Sequence, residues 1–275
     1  MKTLISKEAI ATRKSIRTYT GEKIAAMDKD KILTYLSDPD NLVGINGNKI
    51  KIQFIEIGKN ISGKIGTYGI IKNASAFLVV TSKNSRNLML DCGYVFERLV
   101  LYLEQIGLGT CWLGGTFNRA KLGKEINLAP DEIIPIISPV GYPSKKRSLS
   151  DKIIRNLAKG DSRKDSGELF FQEKFTEKIK DRDNRETLEM VRLAPSASNK
   201  QPWRVMIDAS GDAHFFVQRT PNYAGGKLGY DIQWLDMGIA LAHYEIAVGY
   251  TQFVVNAPKI NKVPDFLEYV ITAKK

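Results

Sequence analysis

The two halves of the chain repeat one order of sequence features. Residues 21–40 and 176–196 each run from Glu-Lys-Ile through an amphipathic helix pattern to a break marked by proline. Strand patterns follow in both halves, and a Leu-Asp-x-Gly tetrapeptide then begins an apolar helix, at 90–93 and at 235–238. Because three features recur in the same order, we predict a duplicated α+β unit with two pseudo-symmetric halves. The predicted halves are residues 1–150 and 151–275.

Hydrophobic spacing predicts the first elements. Apolar residues at helical spacing predict a helix from Asp28 to Leu36, and an alternating pattern predicts a strand at 49–58. The continuous apolar run at 76–82 predicts a strand that is buried on both faces.

A long helix and a charged connector are predicted further on. Residues 90–106 carry apolar side chains around most of a helix, which Gly107 or Gly109 is expected to end. Residues 144–183 are heavily charged and short of strand pattern, so we predict a connector with one or two surface helices.

The composition excludes several classes of protein. With 275 residues, of which 43% are hydrophobic, the chain can bury a core, and disorder is not expected. The net charge of +11 suits an anionic ligand, nucleic acid or a membrane surface, or simply favours solubility. The basic residues are dispersed and form no recognised motif with interleaved aromatics, so no nucleic-acid partner is expected. No signal-peptide core and no run of about 18 apolar residues occurs, so we expect a cytoplasmic protein without membrane contact.

Cysteine and histidine usage argues against a metal site or a disulfide framework. Cys92 and Cys111 belong to no CxxC pair, and we expect Cys111 to be a small buried side chain. His214 and His243 lie on apolar elements without cysteine or carboxylate at ligand spacing, so structural roles are expected.

Asp91 and Asp236, the aspartates of the two Leu-Asp-x-Gly tetrapeptides, are also interpreted as structural. The loose glycine spacing at 225–234 lacks the strand-then-helix context of a dinucleotide fingerprint.

The stretch "TRKSIRTY" (12–19) concentrates hydrogen-bond donors. Its side chains Arg13, Lys14, Ser15 and Arg17 offer rigid guanidinium forks and a rotatable hydroxyl, which match a phosphate or a ribityl chain. A solvated basic turn is an equally good interpretation of these residue types.

Two further stretches are candidates for a binding site. In "GTCWLGGTFN" (109–118), Gly114 and Gly115 allow the backbone to approach a flat ligand, although an ordinary glycine turn also fits. In "APSASNKQPW" (194–203), two prolines restrict the backbone while serine, asparagine and glutamine supply hydrogen-bonding groups. A helix cap followed by a turn explains Ser196 and Asn199 but leaves "KQPW" unexplained.

Together "RKSIR", "GLGTCWLGG", "VGYPSKKR" and "APSASNKQPW" resemble the motifs of the nitroreductase family of FMN-dependent oxidoreductases. The resemblance is strongest to its single-chain branch, the TM nitroreductases, and "PSASNKQPW" is its most specific element. It implies a nitroreductase-like α+β fold.

One departure from the family pattern is informative. The arginine motif occurs only in the first half, and the corresponding stretch of the second half is "GELFFQEKF" (167–175). The Q-P-W loop occurs only in the second half, and the corresponding stretch of the first half is "DPDNLVGINGN" (38–48). The family forms intertwined homodimers that use both motifs at the subunit interface. The chain therefore resembles a fused homodimer that retains a single flavin site, and we expect a monomer.

The resemblance also implies a set of cofactor-binding residues. Arg13, Ser15 and Arg17 would bind the FMN phosphate and ribityl group, and a backbone N–H of Gly114 or Gly115 would bond flavin N5. Tyr223 and Tyr230 are further candidates for substrate contact. The implied cofactor-binding residues are Arg13, Lys14, Ser15, Arg17, Leu113, Gly114, Gly115, Lys146, Arg147, Pro195, Ser196, Ala197, Ser198 and Asn199.

The implied activity is that of an FMN-dependent NAD(P)H oxidoreductase. Hydride from NADPH or NADH would pass through flavin N5 to a nitroaromatic, quinone or similar small-molecule acceptor in a ping-pong cycle. The flavin carries the redox chemistry, so no catalytic side chain is expected. The alternative is a non-catalytic FMN-binding or flavin-sensing protein.

Overall fold

The computed structural model describes residues 2–56, 67–145, 162–179, 184–221, 223, 228–259 and 262–275. Its helices are α1 (Lys7–Thr12), α2 (Ala26–Ser37), α3 (Arg86–Gln105), α4 (Arg119–Glu125), α5 (Ser166–Leu169), α6 (Arg185–Arg192) and α7 (Ile232–Val248). Its strands are β1 (Lys51–Glu56), β2 (Ala76–Thr81), β3 (Gly109–Thr110), β4 (Ile137–Gly141), β5 (Phe170–Gln172), β6 (Lys174–Lys178), β7 (Trp203–Ile207), β8 (Ala213–Gln218), β9 (Gln252–Val254) and β10 (Leu267–Lys274).

The two sheets share one topology. The first has the strand order β1-β2-β4-β3, and the second contains the equivalent order β7-β8-β10-β9 with β5 and β6 added at its β7 edge. Within each of these two sets of four strands, neighbouring strands are antiparallel. One long helix follows the second strand of each set in the chain: α3 lies between β2 and β3, and α7 lies between β8 and β9. The predicted α+β class is therefore confirmed, and the two halves repeat one order of elements.

Capping residues explain the limits of the two long helices. The Ser85 hydroxyl accepts a hydrogen bond from the backbone N–H of Leu88, so α3 begins four residues before the predicted start. Gly107 follows α3 with φ +82°, a conformation that favours glycine, and this confirms Gly107 as the residue that ends the helix. Asp231 caps α7 by accepting from the N–H groups of Gln233 and Trp234.

The core is continuous between the two halves. One cluster of buried side chains contains Leu78 of β2 and Leu99 of α3 together with Phe215 of β8 and Leu241 of α7. The halves therefore share a core, as expected for two units that are packed together rather than joined by a linker.

Asp91 and Asp236 have equivalent structural roles. Oδ1 of Asp91 accepts from the backbone N–H of Asn46 at 3.0 Å, and Oδ1 of Asp236 accepts from that of Ala197 at 2.8 Å. Each aspartate thus anchors the loop that precedes β1 or β7. Both have the predicted structural contacts, and Asp236 in addition lines the cavity described below.

The prediction for the connector is wrong in part. Residues 162–179 contain the short helix α5, but they also contain β5, which pairs with β7 in parallel, and β6. Charge obscured this strand pattern because β6 lies at the sheet edge and has mostly exposed side chains. Residues 146–161 and 180–183 of the predicted connector lie outside the described residues.

The predicted structural roles of His214, His243 and Cys111 agree with the structure. His214 and His243 are buried and hydrogen-bonded, and Cys111 is buried. No helix in the described ranges is long and apolar enough to cross a membrane. Within the same ranges, no cluster of three or more His, Cys, Asp or Glu side chains is arranged to hold a metal ion.

Candidate functional site

A cavity of about 330 Å³ brings together residues that are far apart in the chain. Three walls enclose it: the segment after α1, the segment after β3, and the loop that precedes β7. The predicted site residues that line it are Arg13, Ser15, Arg17, Gly114, Gly115, Pro195, Ser196, Ala197, Ser198 and Asn199.

The remaining predicted site residues are elsewhere. Lys14 is exposed and does not line the cavity, because it alternates with Arg13 and Ser15 along an extended segment. Leu113 is buried in the core below the wall, where its backbone pairs with Ile137. Lys146 and Arg147 lie outside the described residues.

The first wall is an extended segment pinned to β3. The backbone N–H of Ile16 donates to the Thr110 carbonyl at 2.8 Å. Gly109 permits this approach, since a Cβ atom at that position would lie 2.7 Å from Cγ1 of Ile16. Arg13 Nε is buried and has no hydrogen-bond partner in the described part of the chain. The wall therefore presents a guanidinium group whose bonding capacity is not fully used.

The second wall follows β3 and contains both predicted glycines. The Gly114 carbonyl accepts hydrogen bonds from the Arg119 guanidinium and from the Tyr230 hydroxyl. A Cβ atom at Gly114 would lie 3.0 Å from Cδ1 of Ile232, whereas one at Gly115 would meet only Leu228, at 3.6 Å. A side chain at 114 would therefore be tight and would require a small shift of the Ile232 side chain, whereas one at 115 would make only an ordinary contact.

The third wall is a strained loop. Ser198, Asn199 and Gln201 have φ values of 48°, 54° and 48°, a region that costs non-glycine residues roughly 1 kcal/mol or more each. Hydrogen bonds hold this conformation: the Gln201 N–H donates to Ser196 Oγ at 2.8 Å, and Asn199 Nδ2 donates to the Ser162 carbonyl at 2.9 Å.

The "KQPW" end of this loop now has a structural explanation. The Gln201 side chain donates to the Asn199 carbonyl and accepts from the Lys164 N–H, and Trp203 is the fully buried first residue of β7. This end of the loop is thus held by the hydrogen bonds of the Gln201 amide and by the buried side chain of Trp203.

Comparison with known proteins identifies the family. A family model described as "Putative TM nitroreductase" matches residues 6–248. The chain belongs to the TM nitroreductase family. The resemblance predicted from the four motifs is confirmed.

Individual relatives differ in how much of this chain they match. A protein of Archaeoglobus fulgidus named "Putative NADH dehydrogenase/NAD(P)H nitroreductase" is 30% identical over 154 residues, which cover 51% of this chain and 86% of that protein. One of the same name from Methanothermobacter thermautotrophicus is 26% identical, covering 52% and 80%. The crystal structure of a "putative nitroreductase" from Thermotoga maritima covers 99% of this chain and 94% of its own, with TM-score 0.61 and 20% identity, and shows the fold.

Trp112, Arg163 and Asp236 are among the lining residues of the cavity that were not predicted as site residues. The Arg163 guanidinium donates to the carbonyls of Ser162 and Leu193, at 2.9 and 3.1 Å. It comes from the charged connector, where no pattern distinguishes it from its neighbours. Trp112 lies inside the stretch 109–118 and Asp236 inside the second Leu-Asp-x-Gly tetrapeptide, but neither was assigned to the site, because only the fold brings them to the cavity.

Asp236 is the cavity residue with the most perturbed ionisation. Burial without a cation raises the pKa of its carboxyl well above the ordinary value of 3.8. Oδ1 accepts from Ala197, while Oδ2 is buried with no partner in the described residues. A neutral carboxylic acid satisfies this arrangement, since its hydroxyl can donate to a ligand.

Tyr223 and Tyr230 occupy different positions. Tyr223 lines the cavity, and its hydroxyl donates to Ser198 Oγ at 2.9 Å. Tyr230 is buried behind the Gly114 wall, where burial raises its pKa to about 12 and its hydroxyl donates to the Pro135 carbonyl. Of the two, Tyr223 remains a candidate for substrate contact.

Proposed function

We propose that this member of the family is an FMN-dependent NAD(P)H oxidoreductase that reduces a nitroaromatic, a quinone or a similar small acceptor. The observation that carries the proposal is the shared cavity. The Arg13–Ser15–Arg17 segment of the first half and the 195–199 loop of the second half, more than 170 positions apart, line the same space.

The cavity chemistry fits FMN. Arg13, Arg17 and Arg163 contribute guanidinium groups suited to a phosphate, and the buried Arg13 Nε lacks a hydrogen-bond partner in the described residues. The rest of the lining is largely apolar, as a flat ring system requires. These apolar lining residues are Trp112, Ile136, Leu228, Ile232, Leu235 and Ile239.

When bound, FMN would accept hydride from NADH or NADPH and pass it to the acceptor. The chain would supply binding and orientation. Arg13 and Arg17 would hold the phosphate, Ser15 and Ser198 would bond the ribityl chain, and the apolar side chains would exclude water from the ring. The net charge of +11 favours phosphorylated donors such as NADPH through electrostatic steering.

The same proposal includes a fused homodimer with one flavin site, built from units at 1–150 and 151–275. The repeated strand order supports it, and so does the match of two archaeal relatives to about half of this chain. Because the walls come from both halves, a single chain would complete the site and act as a monomer.

The test is the visible absorption spectrum of the purified protein, with release and quantification of any flavin. We expect one FMN per chain that bleaches anaerobically with NADPH and recovers with a quinone or a nitro compound. FMN that binds but is not reduced by NADPH or NADH would favour the flavin-sensing alternative. Failure to bind FMN after incubation with it would refute the proposal.

A further inference from the structure

Glu97 on α3 and His243 on α7 form a buried pair behind the cavity. Both side chains are 0% exposed, and His243 Nε2 lies 2.9 Å from Glu97 Oε1. The other imidazole nitrogen, Nδ1, lies 2.8 Å from the Met190 carbonyl.

Two cavity residues contact the same carboxyl group. Trp112 Nε1 donates to Glu97 Oε2 at 2.7 Å. Arg13 Nε lies 3.8 Å from Oε1, close enough for a strong electrostatic interaction but too far for a hydrogen bond. Trp112 and Arg13 thus connect Glu97 to the cavity.

Hydrogen-bond geometry determines how many protons the pair holds. A carbonyl oxygen only accepts, so Nδ1 of His243 carries a proton. Between Nε2 and a carboxyl oxygen at 2.9 Å a second proton is required, whether it resides on the ring or on Glu97. Either arrangement gives the Glu97–His243 pair a net charge of zero.

We infer that the shared proton of Glu97 and His243 sets the charge of the cavity, because it keeps the Arg13 guanidinium from being neutralised by Glu97. In this inference, which rests on the proposed function, Glu97 and His243 are positioning residues for the recognition of an anionic phosphate. Without the His243 proton, Glu97 would carry a full negative charge beside Arg13 and compete with the phosphate for it.

Two other sets of charged groups lie on the helices that carry the pair. Glu104 interacts electrostatically with Arg13 and Lys14 from the same helix, and burial raises its pKa. Arg98 and Glu245 form a second pair between α3 and α7, with Nη1 and Oε2 2.7 Å apart and neither residue lining the cavity. Glu245→Gln therefore serves as a matched control for the packing of these helices.

The experiment compares the affinities of the flavin-free protein for FMN and for riboflavin, which lacks the phosphate. We expect His243→Gln to weaken FMN binding at least tenfold and riboflavin binding less than threefold, because only the phosphate senses the charge on Arg13. In His243→Gln/Glu97→Gln the negative charge is gone, so FMN affinity should return to within threefold of wild type. Glu245→Gln should leave the ratio of the two affinities unchanged.

Two results would overturn the inference: unaltered FMN affinity in His243→Gln, or no recovery in the double variant. A wild-type protein that binds neither flavin would instead refute the proposed function. The proton count is then still measurable by ¹⁵N NMR, since the chain has only two histidines and His243→Gln assigns the signals. We expect a proton on Nδ1 at pH 7, and a ring protonated only at Nε2 would contradict the inference.

Discussion

Gly93 and Gly238 face each other where α3 crosses α7. A Cβ atom added to Gly93 would lie 3.2 Å from the Gly238 Cα, and one added to Gly238 would lie 3.0 Å from the Gly93 Cα. Each would also lie 2.0 Å from a carbonyl oxygen of the opposite helix, that of Leu235 or of Leu90. The contacts are reciprocal because each glycine is the last residue of a Leu-Asp-x-Gly tetrapeptide.

Alanine at either crossing glycine should destabilise the fold. Backbone atoms block the added methyl group, so the helices must separate, and we expect Gly238→Ala to lower the free energy of unfolding by about 1–3 kcal/mol. Gly123→Ala is the control, because its methyl group would meet only ordinary contacts, 3.5 Å at the nearest, inside α4. Urea denaturation measures the stability of both variants, and equal stabilities of Gly238→Ala and Gly123→Ala would contradict a close crossing of the helices.

The repeat explains why so much of the fold could be predicted. Strand alternation, the long apolar helix and the two tetrapeptides each reflect local periodicity, and their common order predicted two equivalent halves. The strands β5 and β6 could not be predicted this way. β5 has only three residues and pairs in parallel with β7, 35 positions later for Phe170 and Val205. β6 pairs with β5 at the sheet edge, where most of its side chains are exposed.

Removing a cavity arginine should weaken FMN binding more than removing its exposed neighbour. Charge-assisted hydrogen bonds to a phosphate contribute about 1.5–3 kcal/mol each, so we expect Arg13→Ala to reduce FMN affinity tenfold or more. Lys14→Ala, which alters a side chain outside the cavity, should change it less than threefold. Titration of the flavin-free variants by flavin fluorescence gives both values, and a larger effect of Lys14 would reverse the assignment.

Asn199 should affect FMN binding indirectly, because its side chain holds the loop before β7 in place. Its amide donates to the Ser162 carbonyl, next to Arg163, so Asn199→Ala should release the loop and the arginine together. We expect roughly tenfold weaker FMN binding with a smaller change in urea midpoint. If only the stability changes, the proposed meeting of the two halves at one flavin site loses this support.

The candidate site was predictable where a motif was short and continuous. Arg13, Ser15 and Arg17 belong to one short motif whose binding role the family resemblance implied, and all three line the cavity, whereas Lys14 between them does not. Arg163 could not be found, since its position depends on carbonyl acceptors at Ser162 and Leu193 rather than on any pattern.

Replacement by asparagine should be harmful at Asp91 and tolerated at Asp236, although the two aspartates occupy equivalent positions. Asp91 accepts three hydrogen bonds, from the backbone and side chain of Asn46 and from the side chain of Asn48. In Asp91→Asn the new NH₂ group would face one of these donors, so we expect a loss of about 1–3 kcal/mol of stability. In Asp236→Asn the amide oxygen can still accept from Ala197, and its NH₂ can replace the hydroxyl of a neutral acid. We therefore expect Asp236→Asn to retain FMN affinity within threefold, while Asp236→Leu loses it tenfold or more.

The pH dependence of stability provides an independent check on Asp236. Its folded-state pKa is raised above the ordinary 3.8, so above about pH 4 the unfolded state releases a proton that the folded state keeps. Folding thus loses stability as pH rises toward the folded-state pKa, by up to about 1.4 kcal/mol per pH unit. Asp236→Asn removes this loss, so its stability relative to wild type should increase with pH from 4 upward. A constant difference between the two proteins across that range would mean that the Asp236 carboxyl is already ionised in the folded chain.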